Sequence, residues 1–178
     1  PRSYYGVSKL TSEHLLRLAG VDGLNVSCFR MFSVYGPGQD LGNVKQGMVS
    51  IFLSYMLRGV EVPVTGSLER FRDFVYVEDV VDAWVSALDM PHTPKQSYNV
   101  GSGHGTSVRD LLSSLISALN LSSDYPIREL EGNLSDQFGL YADISNTMHD
   151  LGWQPQTSLD DGLRLMVDWA RTEYNNQG

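Results

Sequence analysis

The 178-residue chain predicts an α/β layered fold, because short extended runs alternate with helical patterns along its length. Runs rich in β-branched and aromatic residues, such as "LNVSCFRMFSVYG", "DFVYV" and "SYNV", read as strands. Between them lie stretches whose apolar residues recur at three- and four-residue spacing. No linker divides the chain into two independent domains.

Residues 4–19 read as a helix with Tyr5, Ser8, Lys9, Ser12 and Glu13 on one face; Leu15, Leu16 and Leu18 are expected to feed a core. Gly20 and Gly23 are expected to end it. Leu24–Gly36 then reads as one buried strand, turned by "GPGQD". "MVSIFLSYMLRG" returns to helical spacing and stops at Gly59. "VEVPVTG" is a short strand that Pro63 confines to an edge. "DFVYV" is another, and "EDVVDAWVSALD" follows as a helix with acids in its first turn, where the macrodipole favours them. After "MPHTPKQ", the segment "SYNVGSG" is a strand and "TSVRDLLSSLISALN" a helix capped by Thr106 or Ser107. "PIREL" is a short strand, and the stretch on to Tyr141 shows no regular pattern. The last helix is "SLDDGLRLMVDWARTEY", capped by Ser158, with Trp153 and Trp169 as packing anchors.

The formal charge of −8 argues against a nucleic-acid partner, which needs a basic patch. An anionic small ligand remains open, but in so acidic a chain it requires a local arginine or lysine. Cys28 is the only cysteine, so no internal disulfide and no cysteine-based zinc site is expected. His14, His92, His104 and His149 show no ligand spacing, and no metal is expected. The apolar stretch Val49–Leu57 is broken by serines and falls short of the roughly 20 residues of a membrane helix. No membrane partner and a cytoplasmic location are therefore expected. The chain opens at Pro1, which suggests a fragment of something longer.

Tyr5 and Lys9 stand one helical turn apart in "YYGVSK". A phenol titrates near pH ~10, so Tyr5 can serve as a base near neutrality only if a cation stabilises its phenolate. Lys9 is positioned to be that cation. The same spacing also describes two ordinary neighbours on a surface helix. Context decides between them: "RMFSVYGPGQ", "RFRDFVYVEDVVDA", "YNVGSGHGTSVRDL" and "YADISNTMHDLGWQPQTSLDDGL" follow in order.

Together these five blocks resemble the C-terminal part of the extended short-chain dehydrogenase/reductases, specifically the NAD-dependent nucleotide-sugar epimerase/dehydratase family. UDP-glucose 4-epimerase-like members look nearest. The resemblance spans essentially the whole chain. It implies the end of a Rossmann-like parallel sheet plus a small α/β substrate-binding region, with the N-terminal dinucleotide-binding half missing. Residues 1–40 would be the tail of the NAD-binding domain with the tyrosine–lysine helix. Residues 41–178 would be mainly substrate-binding region with interleaved Rossmann elements. The Gly-rich dinucleotide turn and the catalytic Ser or Thr of the family are not found in these residues; "GVDG" and "GSGHG" are no substitute.

By the same resemblance Tyr5 and Lys9 are catalytic and touch NAD, as do Phe32, Ser33 and Val34. Ser33 stands where such members commonly carry Asn, and faces both cofactor and substrate. Phe32 and Tyr35 read, on the residues alone, as strand core. Arg72 in "RFRDF" would clamp the nucleotide diphosphate, its planar fork suited to phosphate oxygens; the competing reading is an ion pair with Asp73, Glu78 or Asp79. Asn43, at the start of a helix, would lie near the diphosphate or merely cap the helix. Pro37 and Gln39 fit a loop lining the cleft. Asn99 would orient cleft loops or fill a buried turn, and Asp136 completes the substrate-binding set. The family's second phosphate-clamping arginine is replaced by Asn133, and Arg128 lies in another register, which weakens the choice of UDP over another nucleotide. The implied partners are a nucleotide-diphosphate sugar and, in the intact protein, a second copy in a homodimer. The alternative is a non-catalytic relative that binds a nucleotide or a protein and only borrows the fold.

Overall fold

A computed structural model describes the chain except residues 2, 44, 46, 91, 94–96, 133–136 and 177–178. The elements run α1 (Tyr4–Val21), β1 (Cys28–Met31), β2 (Ser33–Tyr35), α2 (Met48–Leu57), β3 (Val62–Thr65), β4 (Phe71–Arg72) and β5 (Phe74–Tyr76). They continue with α3 (Val77–Leu88), β6 (Ser97–Val100), β7 (Thr106–Ser107), α4 (Val108–Leu119), β8 (Ile127–Leu130), α5 (Ser145–Leu151) and α6 (Leu159–Asn176). Helix and strand alternate as the pattern predicts.

The expected single strand over Leu24–Gly36 is in fact an extended segment that changes partner halfway. β1 pairs in parallel with β6, and β2 in parallel with β5. The switch falls at Phe32 and Ser33: the Phe32 N–H donates to the Val100 carbonyl and the Ser33 N–H to that of Asp73, both at 2.9 Å. β3 pairs in parallel with β8, which leaves Pro63 on a strand with one partner, where its missing N–H costs little. β4 and β7, antiparallel, hold two residues each. Elements so short carry no periodicity, and the sequence reading did not contain them.

The main core lies where α2, α4 and α6 meet β3, β5 and Tyr35, around Phe52, Leu53, Leu111, Leu115, Leu163 and Met166. A smaller cluster joins Val75, Val80, Ala83 and Val100 to Trp153, confirming that tryptophan as an anchor. Its indole N–H donates 2.8 Å to the Asp79 carbonyl, while the Asp79 carboxylate accepts from the N–H groups of Gln156 and Thr157. Trp169 packs against the main core. Ser107, rather than Thr106, caps α4 by accepting from the Asp110 N–H at 3.0 Å, and Ser158 does the same for Asp161.

The reading of α1 needs correction. Leu15, Leu16 and Leu18 feed no core: they are 62%, 41% and 64% exposed, and α1 buries no residue. Helical periodicity identifies an apolar face but not what covers it. Gly20 lies inside the helix, which runs to Val21; the positive φ of 95° falls at Gly23. No helix among the described residues is long and apolar enough to cross a membrane.

Candidate functional site

α1 starts at Ser3, whose Oγ accepts from the Gly6 N–H at 3.0 Å and so satisfies one of the free donors of the first turn. The helix then carries Tyr5, Lys9 and Glu13 at four-residue intervals along one side. Lys9 Nζ sits 5.3 Å from the centroid of the Tyr5 ring, and Tyr5 is 70% exposed. Two reactive groups thus share one open face.

Two contacts fix how α1 lies on the strands. Glu13 takes a bidentate pair of hydrogen bonds from Arg30 of β1, from Nε at 2.7 Å and Nη2 at 2.6 Å. One turn later Arg17 reaches Ser97, which is in register with Cys28. Ser97 Oγ also stands 3.5 Å from the Glu13 carboxylate, so β1 and β6 together face the Glu13–Arg17 turn of α1. Phe32, Ser33 and Val34 lie where the extended segment passes from β1 to β2.

Arg72 closes β4. Its Nη1 donates 2.7 Å to the Phe71 carbonyl and 3.4 Å to that of Phe138. The same strand holds segment 137–142 at its side: the Phe71 N–H donates to the Phe138 carbonyl, and the Phe71 ring meets Phe138 edge-on with Tyr141 nearby. Beneath them Asp73 is 1% exposed, and its carboxylate accepts from Ser102 N–H and Oγ, Gly103 N–H and Ala142 N–H at 2.6–3.0 Å. Asp73 and Asp79, offered as ion-pair partners for Arg72, are thus each engaged by backbone donors. Asp73 was not singled out from sequence as a binding hub; its neighbours lie about 30 and 70 residues away, beyond any local signal.

Asn43 is corrected. It stands four residues before Gly47, the N-cap of α2, and its Oδ1 accepts from the Lys45 N–H in a local turn. It neither starts nor caps the helix, which begins at Met48 with Gly47 as its N-cap. Asn99 lies on β6 rather than in a turn. Its amide donates 2.9 Å to the Asp143 carbonyl, and its own carbonyl accepts from Thr147, so it ties β6 to the start of α5. Asp136 and Asn133 lie outside the described residues. Arg128 is paired with Glu61 at 2.8 Å across the β3–β8 pair.

Tyr35, in contrast with Tyr5, is a core residue: its hydroxyl donates to the Leu159 carbonyl, and burial pushes its phenol pKa well up. Hollows mark the surface. One of about 630 Å³ is bounded by Ser113, Ser117, Asp160 and Arg164, and one of about 490 Å³ by Gln39, Leu41, Arg58 and Trp169. Gln39 therefore borders a groove between its loop, α2 and α6. Among the described residues no group of three or more His, Cys, Asp or Glu could hold a metal ion.

Residues 1–101 match the NAD dependent epimerase/dehydratase family. Over 99% of its length the chain is 32% identical to the dTDP-L-rhamnose 4-epimerase of Burkholderia thailandensis. It is also 30% identical over 96% of its length to the dTDP-4-dehydro-6-deoxyglucose reductase of Escherichia coli. The crystal structure of Thermotoga maritima UDP-glucose 4-epimerase with UDP-glucose superposes with a TM-score of 0.87 at 34% identity, covering 96% of this chain. The chain spans about half the length of these proteins, 48%, 53% and 54% respectively.

Proposed function

Because the chain belongs to the NAD-dependent epimerase/dehydratase family, we propose that it forms the C-terminal portion of a nucleotide-sugar epimerase. Residues 1–40 then serve the cofactor side, residues 41–178 mainly the substrate side, and a preceding dinucleotide-binding half supplies the Gly-rich turn and a Ser or Thr. The observation that carries this reading is the open face of α1, with Lys9 Nζ 5.3 Å from the Tyr5 ring centroid.

NAD, when bound, would take a hydride from the sugar carbon and return it. The residues present fit such a group, since an exposed phenol and an exposed ammonium lie side by side on one helical face. Tyr5 removes the proton of the sugar hydroxyl as the carbon is oxidised to a 4-keto sugar, and gives it back when the hydride returns to the opposite face. Lys9 stabilises the phenolate and donates to the cofactor ribose. Ser33, at the start of β2, hydrogen-bonds substrate or cofactor. Arg72 holds the diphosphate, and Asp73 keeps the surrounding backbone in place. The exposed Val7, Leu15, Leu18 and Val21 of α1 support pairing with a second copy in the intact enzyme.

Replacing Tyr5 with Phe in the full-length protein tests the reading. Turnover should fall by on the order of 10²–10⁴-fold, with affinity for the nucleotide sugar unchanged. A wild-type protein that binds nucleotide sugars but converts none of them, with NAD present, would instead be the non-catalytic relative.

A further inference from the structure

We propose that the Glu13–Arg30 pair is the positioning device that sets the Tyr5–Lys9 face against strand 28–35. The proposal rests on the catalytic reading above and adds residues which that reading does not use. Where α1 meets the strands it presents a carboxylate only 14% exposed, held by a two-pronged guanidinium at 2.7 and 2.6 Å. Ser97 Oγ stands 3.5 Å from the same carboxylate and Arg17 Nη2 3.9 Å, so both neighbouring strands and the next helical turn converge on Glu13.

An apolar face tolerates sliding, because its contacts are non-directional. A bidentate fork has one geometry, and the guanidinium plane dictates where the carboxylate sits. Slipping α1 by one residue moves Tyr5 about 1.5 Å along the axis and turns it about 100°. That shift exceeds what proton transfer from a bound hydroxyl allows, as a displacement near 1 Å can cost on the order of 10²-fold in rate. Glu13 lies two turns beyond Tyr5 and touches neither substrate nor cofactor. Its influence is exerted through the helix.

In the full-length protein, Glu13→Gln keeps the size of the side chain but removes the charge, and Arg30→Lys keeps the charge but removes the fork. Both should lower kcat by on the order of 10–100-fold with KM for the nucleotide sugar within twofold of wild type, because Arg72 is untouched. The reversed pair, Glu13→Arg with Arg30→Glu, should recover most of the loss. Peptide-resolved hydrogen exchange should show faster exchange in residues 4–21 of Glu13→Gln, with α4 unchanged. The proposal is overturned if kcat stays within twofold, if KM alone rises, if the reversed pair recovers nothing, or if exchange in α1 does not change. Should the wild type have no turnover, the epimerase reading falls, and the exchange measurement still decides whether the pair holds the helix.

Discussion

Arg72 illustrates how one side chain gains its role from its surroundings. The block "RFRDF" made it legible as an anion ligand, and two of the three carboxylates offered as its ion-pair partners, Asp73 and Asp79, accept from backbone N–H groups. We expect Arg72→Ala in the intact enzyme to lose about 1.5–3 kcal/mol of binding to a nucleotide-diphosphate sugar, the worth of a charge-assisted hydrogen bond. Titration calorimetry checks this, and an unchanged dissociation constant would remove Arg72 from the site. Glu13 carries a pH dependence of definite sign. The hydrogen bond from Arg30 holds its carboxyl below the usual range, against the opposing effect of burial. A carboxyl lowered on folding contributes stability above its unfolded pKa of about 4.3, and that contribution is lost as pH falls through the folded value. Urea midpoints should therefore drop below about pH 4.3 more steeply in wild type than in Glu13→Gln.

At the level of elements, α6 shows a helix seated by a missing side chain. A Cβ at Gly162 would meet the Tyr35 ring at 2.9 Å and Tyr76 Cδ2 at 2.9 Å, with the Tyr35 hydroxyl nearer still. Tyr35 cannot retreat, since it is 2% exposed and its hydroxyl is bound to Leu159. Gly162→Ala should thus destabilise by about 1–3 kcal/mol through overpacking, despite alanine's better helix propensity. Chemical denaturation measures it, and a gain in stability would contradict the packing. The helix was legible from its 3.6-residue pattern, whereas the need for glycine at this position arises from tyrosines more than 80 residues away.

For the whole molecule, the expectation concerns what these 178 residues can bind alone. Pyrophosphate recognition in a dinucleotide fold rests on a Gly-rich turn and the N-terminus of its first helix. On the proposed reading Tyr5, Lys9 and the 32–34 strand offer only ribose-side contacts, worth about 1–2 kcal/mol against the entropy of association. The 178-residue chain by itself should show no NAD affinity in the micromolar range by calorimetry or fluorescence. Its exposed apolar side chains, Leu15, Leu18 and Val21 on α1 with Val81, Trp84 and Leu88 on α3, should also make it self-associate as concentration rises. Sedimentation at increasing concentration tests that, and a monomer throughout would contradict it.

Local chemistry alone determined much of this protein. Hydrophobic periods, Ser caps and glycine turns mark α1, α2, α3, α4 and α6 and the longer strands, because each is written within a dozen neighbouring residues. The ordered blocks around Tyr5, Arg72 and Asn99 pointed to the family and the candidate chemistry in the same way. Only the tertiary structure decided that the 24–36 segment divides between two partner strands, that Asn43 stops short of a helix, and that Leu15 and Leu18 face outward. It alone joined Glu13 to Arg30 and gathered three distant donor residues onto Asp73. Those outcomes depend on which surfaces meet across tens of residues, and a periodic pattern encodes a face without naming what covers it.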